Sequence, residues 1–201
     1  MALPLGIDHA VIAVGDLDAA AASFRKLGFT LTPRGVHSIG SQNHCIMLGR
    51  TYIELLAAPA AHSWLDYYRS FLRAGDGLAA VALSTDDADA AYSALRAQGV
   101  PARAPMALSR PVEGGVARFR LVQIENAPQI FVCQHLTPEL VWRREWQSHA
   151  NRAKELVGLT LRAEEPFSGL PAPIRWGKAG ALQIRGLGRA LEAHGVRLTP
   201  A

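Results

Sequence analysis

The sequence predicts an α+β fold assembled from two copies of one β-α-β-β-β unit, and three observations lead to it. Residues 6–29 recur as residues 77–100: a shift of 71 positions pairs Gly6 with Gly77, Asp16 with Asp87, Asp18 with Asp89, Arg25 with Arg96 and Gly28 with Gly99. Within each copy a continuous apolar run gives way to apolar residues at helical spacing. After each helix come further short apolar runs separated by turn residues. One such unit cannot bury both faces of its sheet, so the two are expected to pack into one domain.

In chain order, Ala10 to Val14 and Val81 to Leu83 are the first strands, bounded by Gly and Asp. Leu17, Ala20, Ala21, Phe24 and Leu27 then recur at helical spacing, with Asp16 as N-cap and Gly28 as the left-handed residue that ends the helix. Asp87, Ala88, Ala91, Leu95 and Gly99 repeat this. Strands are expected over Phe29 to Arg34, His44 to Leu48 and Thr51 to Ala57, the last two joined by a tight turn at Gly49-Arg50. The polar stretch His37 to Gln42 reads as a loop, and residues 62–73 read as a helix linking the units. The second unit continues with an extended stretch around Ala104 to Leu108, a turn at Glu113-Gly114-Gly115, and strands Val116 to Ile124 and Gln129 to Gln134.

From Leu136 the pattern changes, with Thr137-Pro138-Glu139 as a helix start. Val157 to Arg162 has the composition of a strand, and Ala190 to Pro200 echoes Ser23 to Pro33 as helix end, Gly, strand and Thr-Pro. The domain organisation expected is therefore residues 1–150, made of units 5–60 and 77–135, followed by an appendage over 151–201 that resembles a truncated third unit and covers a sheet edge or pairs with a second subunit.

Composition excludes several function classes. No apolar stretch of the 201 residues approaches the ~20 needed to span a bilayer, and Met-Ala-Leu-Pro-Leu-Gly lacks a basic signal-peptide start, so a cytoplasmic protein without membrane partners is expected. Cys45 and Cys133 match no metal knuckle and read as reduced, buried thiols. The net charge of +4 sits in the tail: residues 1–151 hold 13 basic and 13 acidic residues, residues 152–201 hold 8 and 4. Scattered without interleaved aromatics, the excess reads as a solvated face and not as a nucleic-acid surface.

Several stretches together carry a resemblance. Ile7-Asp-His9 entering a strand, the Asp-Leu-Asp helix start, Leu-Gly-Phe after the helix and Tyr52-Ile-Glu54-Leu-Leu resemble the vicinal-oxygen-chelate superfamily of glyoxalases, extradiol dioxygenases and bleomycin-resistance proteins. Thr32-Pro-Arg-Gly-Val-His37, Asn43-His44 and Cys133-Gln-His-Leu-Thr-Pro-Glu-Leu-Val-Trp142 resemble its glyoxalase-like domain proteins most. The resemblance implies that the two units curl into a cupped mixed sheet. It also implies a divalent metal (Mn, Fe, Ni or Zn) held by a residue from the first and a residue from the fourth strand of each unit, chelating two neighbouring oxygens of a substrate.

The matching positions are His9 and Glu54 in the first unit, both of ligand type, and Ala80 and Phe131 in the second, neither able to bind a metal. A carboxylate among the apolar neighbours of Glu54 must meet a metal, a proton or a cation, since burying it unpaired is costly. Replacement ligands are sought in His44 and His135. A two-residue turn at Gly49-Arg50 puts Cys45 opposite Glu54, with Asn43 and Cys45 on its face and His44 on the other; a loop one residue longer would bring His44 in. Alternation from Phe131 through Cys133 keeps His135 on the cup side. His149 reads as structural, and His37, His62 and His194 as loop or surface residues.

Two functions of different class remain open. One is a metal-dependent lyase, isomerase or oxygenase acting on a small oxygen-rich substrate, with His9, Glu54 and His44 or His135 as ligands and Glu54 as base. The other is a metal-free binding or sequestering protein in which Phe131, Trp64 and their neighbours grip an apolar ligand and Glu54 fixes its orientation; Asn43, Cys45, Phe131 and Cys133 are the ligand-binding candidates. A small-molecule partner and a homodimer are expected in either case.

Overall fold

The computed structural model describes residues 5–164, 166 and 174–201. The first unit is β1 (Ile7–Ala13), α1 (Leu17–Lys26), β2 (Gly35–Val36), β3 (Gln42–Leu48) and β4 (Thr51–Ala57). A short linker helix, α2 (Asp66–Phe71), flanked by 3-10 turns, leads to the second unit: β5 (Gly77–Ser84), α3 (Ala88–Ala97), β6 (Met106–Val112), β7 (Gly115–Gln123) and β8 (Ile130–His135). Together they form one eight-stranded sheet in the order β2-β3-β4-β1-β5-β8-β7-β6. The order is symmetric about the antiparallel β1–β5 pair, with β1–β4 and β5–β8 parallel, so paired βαβββ units build the cupped mixed sheet expected from the repeat.

Both long helices begin and end as the sequence indicates. Asp16 accepts from the Asp18 and Ala19 amides and Asp87 from the Asp89 and Ala90 amides, satisfying donors that a helix start leaves open. Gly28 and Gly99 follow the helix ends at φ +87° and +76°, a conformation that costs a glycine least. Leu17, Ala20, Ala21 and Phe24 form the buried stripe of α1.

Alternation along the strands sorts side chains to two faces. Ala10, Ile12, Ile46, Ile53, Leu55, Val81, Val122 and Val132 turn outward beneath α1 and α3. Val11, Cys45, Met47, Tyr52, Ala80, Ala82, Phe119, Leu121 and Phe131 turn inward. The sheet curls until its two edges meet: the Ser38 amide donates to the Ser109 carbonyl at 2.7 Å, and the Ser109 amide to the Ser38 hydroxyl. Leu65 and Tyr68 of the linker pack into the concave side.

Two expectations need correction. Phe29 to Arg34 is not a strand: β2 is only Gly35–Val36, because Thr32 turns its hydroxyl and amide to β3 at Cys45. The C-terminal segment contains no helix among its described residues. It forms β9 (Glu155–Leu161), β10 (Ile174–Trp176), β11 (Ala181–Arg185), β12 (Leu191–Ala193) and β13 (Val196–Pro200), a second sheet in the order β10-β9-β11-β13-β12. The expected helix end near Ala190 is strand β12, and His194-Gly195, both at positive φ, make the hairpin turn to β13. This sheet covers the outward face and not an edge: Leu156, Leu159, Leu182, Ile184, Val196 and Leu198 share one core with Ala10, Ile12 and Ile53. Part of 151–201, residues 165 and 167–173, lies outside the described residues. Among the described residues no helix is long and apolar enough to cross a membrane.

Candidate functional site

The concave face holds a small hollow of about 60 Å³, lined by His9, Asn43, Tyr52, Glu54, Phe131 and Cys133 together with His37, Leu108, Arg110 and Phe119. His9 and Glu54 reach it from neighbouring parallel strands, where His9 stands beside Tyr52 and Glu54 two residues further along. The His9 ring stacks on Tyr52, centroids 4.2 Å apart, and meets the edge of Phe131 at 5.5 Å. These contacts orient an imidazole that is only 3% exposed.

Asp8 completes the orientation. Register slips by one residue between Ile7 and His9 in the β1–β5 pair, a bulge that leaves Asp8 as the extra residue. Its Oδ1 lies 2.5 Å from His9 Nδ1 and 3.1 Å from His135 Nε2. Burial pushes the Asp8 carboxyl up, but hydrogen bonds from His135 and His9 outweigh it and bring it down to about 2. An ionised Asp8 only accepts, so His9 Nδ1 carries the proton and Nε2 is left facing the cup.

Opposite that nitrogen, 3.7 Å away, lies Glu54 Oε2. The other carboxylate oxygen accepts from Asn43 Nδ2 at 2.6 Å and lies 4.0 Å from His37 Nε2. Burial pushes the His37 ring down to about 4, so it is neutral near pH 7. His9 Nε2 and Glu54 Oε2 thus face one another, too far apart for a direct hydrogen bond. Such a pair is satisfied by a proton or by a cation between them.

These residues fit the divalent metal that the fold implies. A separation of 3.7 Å is within the span of two metal–ligand bonds of roughly 2.0–2.2 Å. The Asp8–His9 contact is the arrangement by which a carboxylate steadies a metal-ligating imidazole. The first unit therefore fits a metal with two donors, His9 Nε2 and Glu54, and His37 nearby. The second unit adds none, since Ala80 and Phe131 occupy the matching places.

A second grouping, Asp8, His9, Cys133 and His135, brings four candidate donors within 4.8 Å of one another. Asp8 Oδ1 already receives both histidines and burial pushes the Cys133 thiol well above its ordinary range, while His135 Nδ1 is buried without a partner. His135 thus stands behind His9 and not beside Glu54. His44, a candidate ligand by sequence, is outside the cup: it pairs with Leu55, Cys45 pairs with Glu54, and the His44 ring bonds the Thr32 carbonyl at 2.7 Å. The two-residue turn at Gly49-Arg50 settles this register. Cys45 shares the cup face but lies beneath Asn43 and is not part of the lining. His149 is structural, bridging the Thr30 amide and the Met47 carbonyl.

The sequence reading missed Asp8, His37, Tyr52 and Arg110. His37 is no surface residue: at 7% exposure its ring bonds Ser41 and overlooks Glu54. Asp8 is invisible to a strict alternation because a bulge turns it inward. Arg110 follows Leu108 by two positions, and that alternation was the one available signal for it.

A duplicated βαβββ sheet closed round a pocket with an imidazole and a carboxylate on adjacent strands defines a protein of the vicinal-oxygen-chelate superfamily. The chain belongs within it to the family of glyoxalase-like domains, which it matches over residues 7–172. It is similar to a hypothetical protein from Staphylococcus aureus over 98% of this chain and all of that one, at 16% identity and TM-score 0.74. It also resembles a Streptomyces coelicolor methylmalonyl-CoA epimerase, over 65% of this chain and 94% of that one, at 22% identity and TM-score 0.52. Both likenesses are of fold. No curated protein sequence matches.

Proposed function

We propose that the protein takes a small oxygen-rich molecule into the cup and acts on it with the help of a divalent metal held by His9 Nε2 and the Glu54 carboxylate, as a lyase, isomerase or oxygenase. The observation that carries this reading is the 3.7 Å gap between His9 Nε2 and Glu54 Oε2, with the His9 ring locked in orientation by Asp8. A metal bound there supplies Lewis acidity toward two neighbouring oxygens of the ligand. The chain supplies the rest. Asn43 holds Glu54 Oε1, so Oε2, the oxygen facing His9 Nε2, is the one open to the metal or, as candidate base, to the ligand. Tyr52, Phe131, Phe119 and Leu121 exclude water, and His37, uncharged, offers a polar contact beside the acid.

A metal-free binding protein is the second reading, favoured by the hydrocarbon at Ala80 and Phe131. Metal analysis of protein purified without added metal separates the two. About one transition metal per chain, lost in His9→Ala and in Glu54→Gln, supports the first; a metal-free wild type whose ligand binding survives His9→Ala supports the second. The same reading has the protein working in the cytoplasm, where the two free thiols stay reduced, and as a homodimer; light scattering at twice the 21.6 kDa chain mass tests the latter.

A further inference from the structure

The cup contains a charge that the reading above does not use. Arg110, on β6 at the rim where Ser109 meets Ser38, turns inward with Leu108 and is 5% exposed. Among the described residues its side chain forms neither a hydrogen bond nor an ion pair, and its Nε is enclosed without a partner. A guanidinium removed from water without a partner is costly, and the cost is recovered when an anion arrives. The only carboxylate lining the cup, Glu54, is engaged by Asn43.

The surroundings leave Arg110 open deliberately in a steric sense. It lies across Gly35, where an added Cβ would come within 2.7 Å of its Nη1 and 2.4 Å of the Asn43 side-chain oxygen. That oxygen is also buried without a partner. An unsatisfied cationic donor and an unsatisfied neutral acceptor therefore flank one glycine at the wall of the cup, beside the His9–Glu54 pair.

We propose that Arg110 is the anchor for a carboxylate on the ligand of this cup, so that its substrates are small carboxylic acids carrying a neighbouring hydroxyl. A planar guanidinium matches a carboxylate with two parallel hydrogen bonds, and a neighbouring hydroxyl is the donor that the Asn43 oxygen lacks. A hollow of about 60 Å³ admits a carboxylate and a few further heavy atoms. The proposal rests on the reading above only in taking the cup as the ligand site; it does not need the metal.

The test is a calorimetric or NMR titration of the wild type with lactate, pyruvate and malonate, and with the corresponding amides, repeated on Arg110→Met and Arg110→Lys. At least one acid should bind the wild type, with its amide weaker by about tenfold or more, and Arg110→Met should lose affinity for the acid by a similar factor. Arg110→Lys should retain part of it. The proposal is overturned if no acid binds, if acid and amide bind alike, or if Arg110→Met binds as the wild type does. Should Arg110→Met fail to give a folded circular-dichroism spectrum, the acid–amide comparison and Arg110→Lys decide alone. Metal content measured on the same samples should be unchanged by Arg110→Met. A metal-free wild type that still prefers acids overturns the metal reading and leaves Arg110 in place.

Discussion

Asp8 and His9, neighbours in sequence, lie side by side on the concave face, joined Oδ1 to Nδ1 at 2.5 Å, because a bulge cancels the alternation that would have parted them. That contact sets which nitrogen of His9 faces Glu54. Asp8→Asn replaces an obligate acceptor by a group able to donate, and should lower metal affinity by about 10–100-fold with little change in far-UV dichroism. Competition with a chromophoric chelator measures the loss.

His37 makes stability depend on pH. Its folded value of about 4 lies below the ordinary 6.5, so between those values the unfolded chain binds more protons and stability rises with pH. The contribution, about 3 kcal/mol by this shift, is present above pH 6.5 and is lost as the pH falls toward 4. Asp8, lowered to about 2, adds stability that is lost only below pH 3.8. Urea unfolding from pH 7.5 to 4.5 should show this slope, and His37→Gln should reduce it, the remainder coming from His44 and His149, which burial also lowers.

The cysteines should be inert in the native state. Burial pushes Cys45 up to about 12 and Cys133 well above its ordinary value, so neither presents a thiolate at pH 8. Ellman's reagent should find no fast-reacting thiol in native protein and two in 6 M guanidinium.

The second sheet should be part of one cooperative fold. Leu198 is fully buried in the core shared with β1 and β4. Leu198→Ala should cost about 2–5 kcal/mol, and the whole chain should still unfold in a single transition by tryptophan fluorescence and far-UV dichroism. Two separate transitions would mean that the sheets are independent.

Much of this was legible because repetition and alternation are local. The 71-residue frame located both capped helices and the strands flanking them, and the two-residue turn at Gly49-Arg50 correctly put Asn43, Cys45 and Glu54 on one face. What escaped depends on long-range geometry. A bulge turned Asp8 inward, closure of the sheet edges buried His37, and β12 became a strand because it pairs with β13, where its sequence alone resembled a helix end.

The proposed metal position lies between His9 Nε2 and Glu54 Oε2, 3.7 Å apart. Titration of chelator-treated protein with Co²⁺ tests it most directly. Visible d–d absorption should grow to saturation at about one equivalent per chain and be absent from His9→Ala and Glu54→Gln. A wild type that develops no such absorption, or variants that develop it unchanged, would contradict the account.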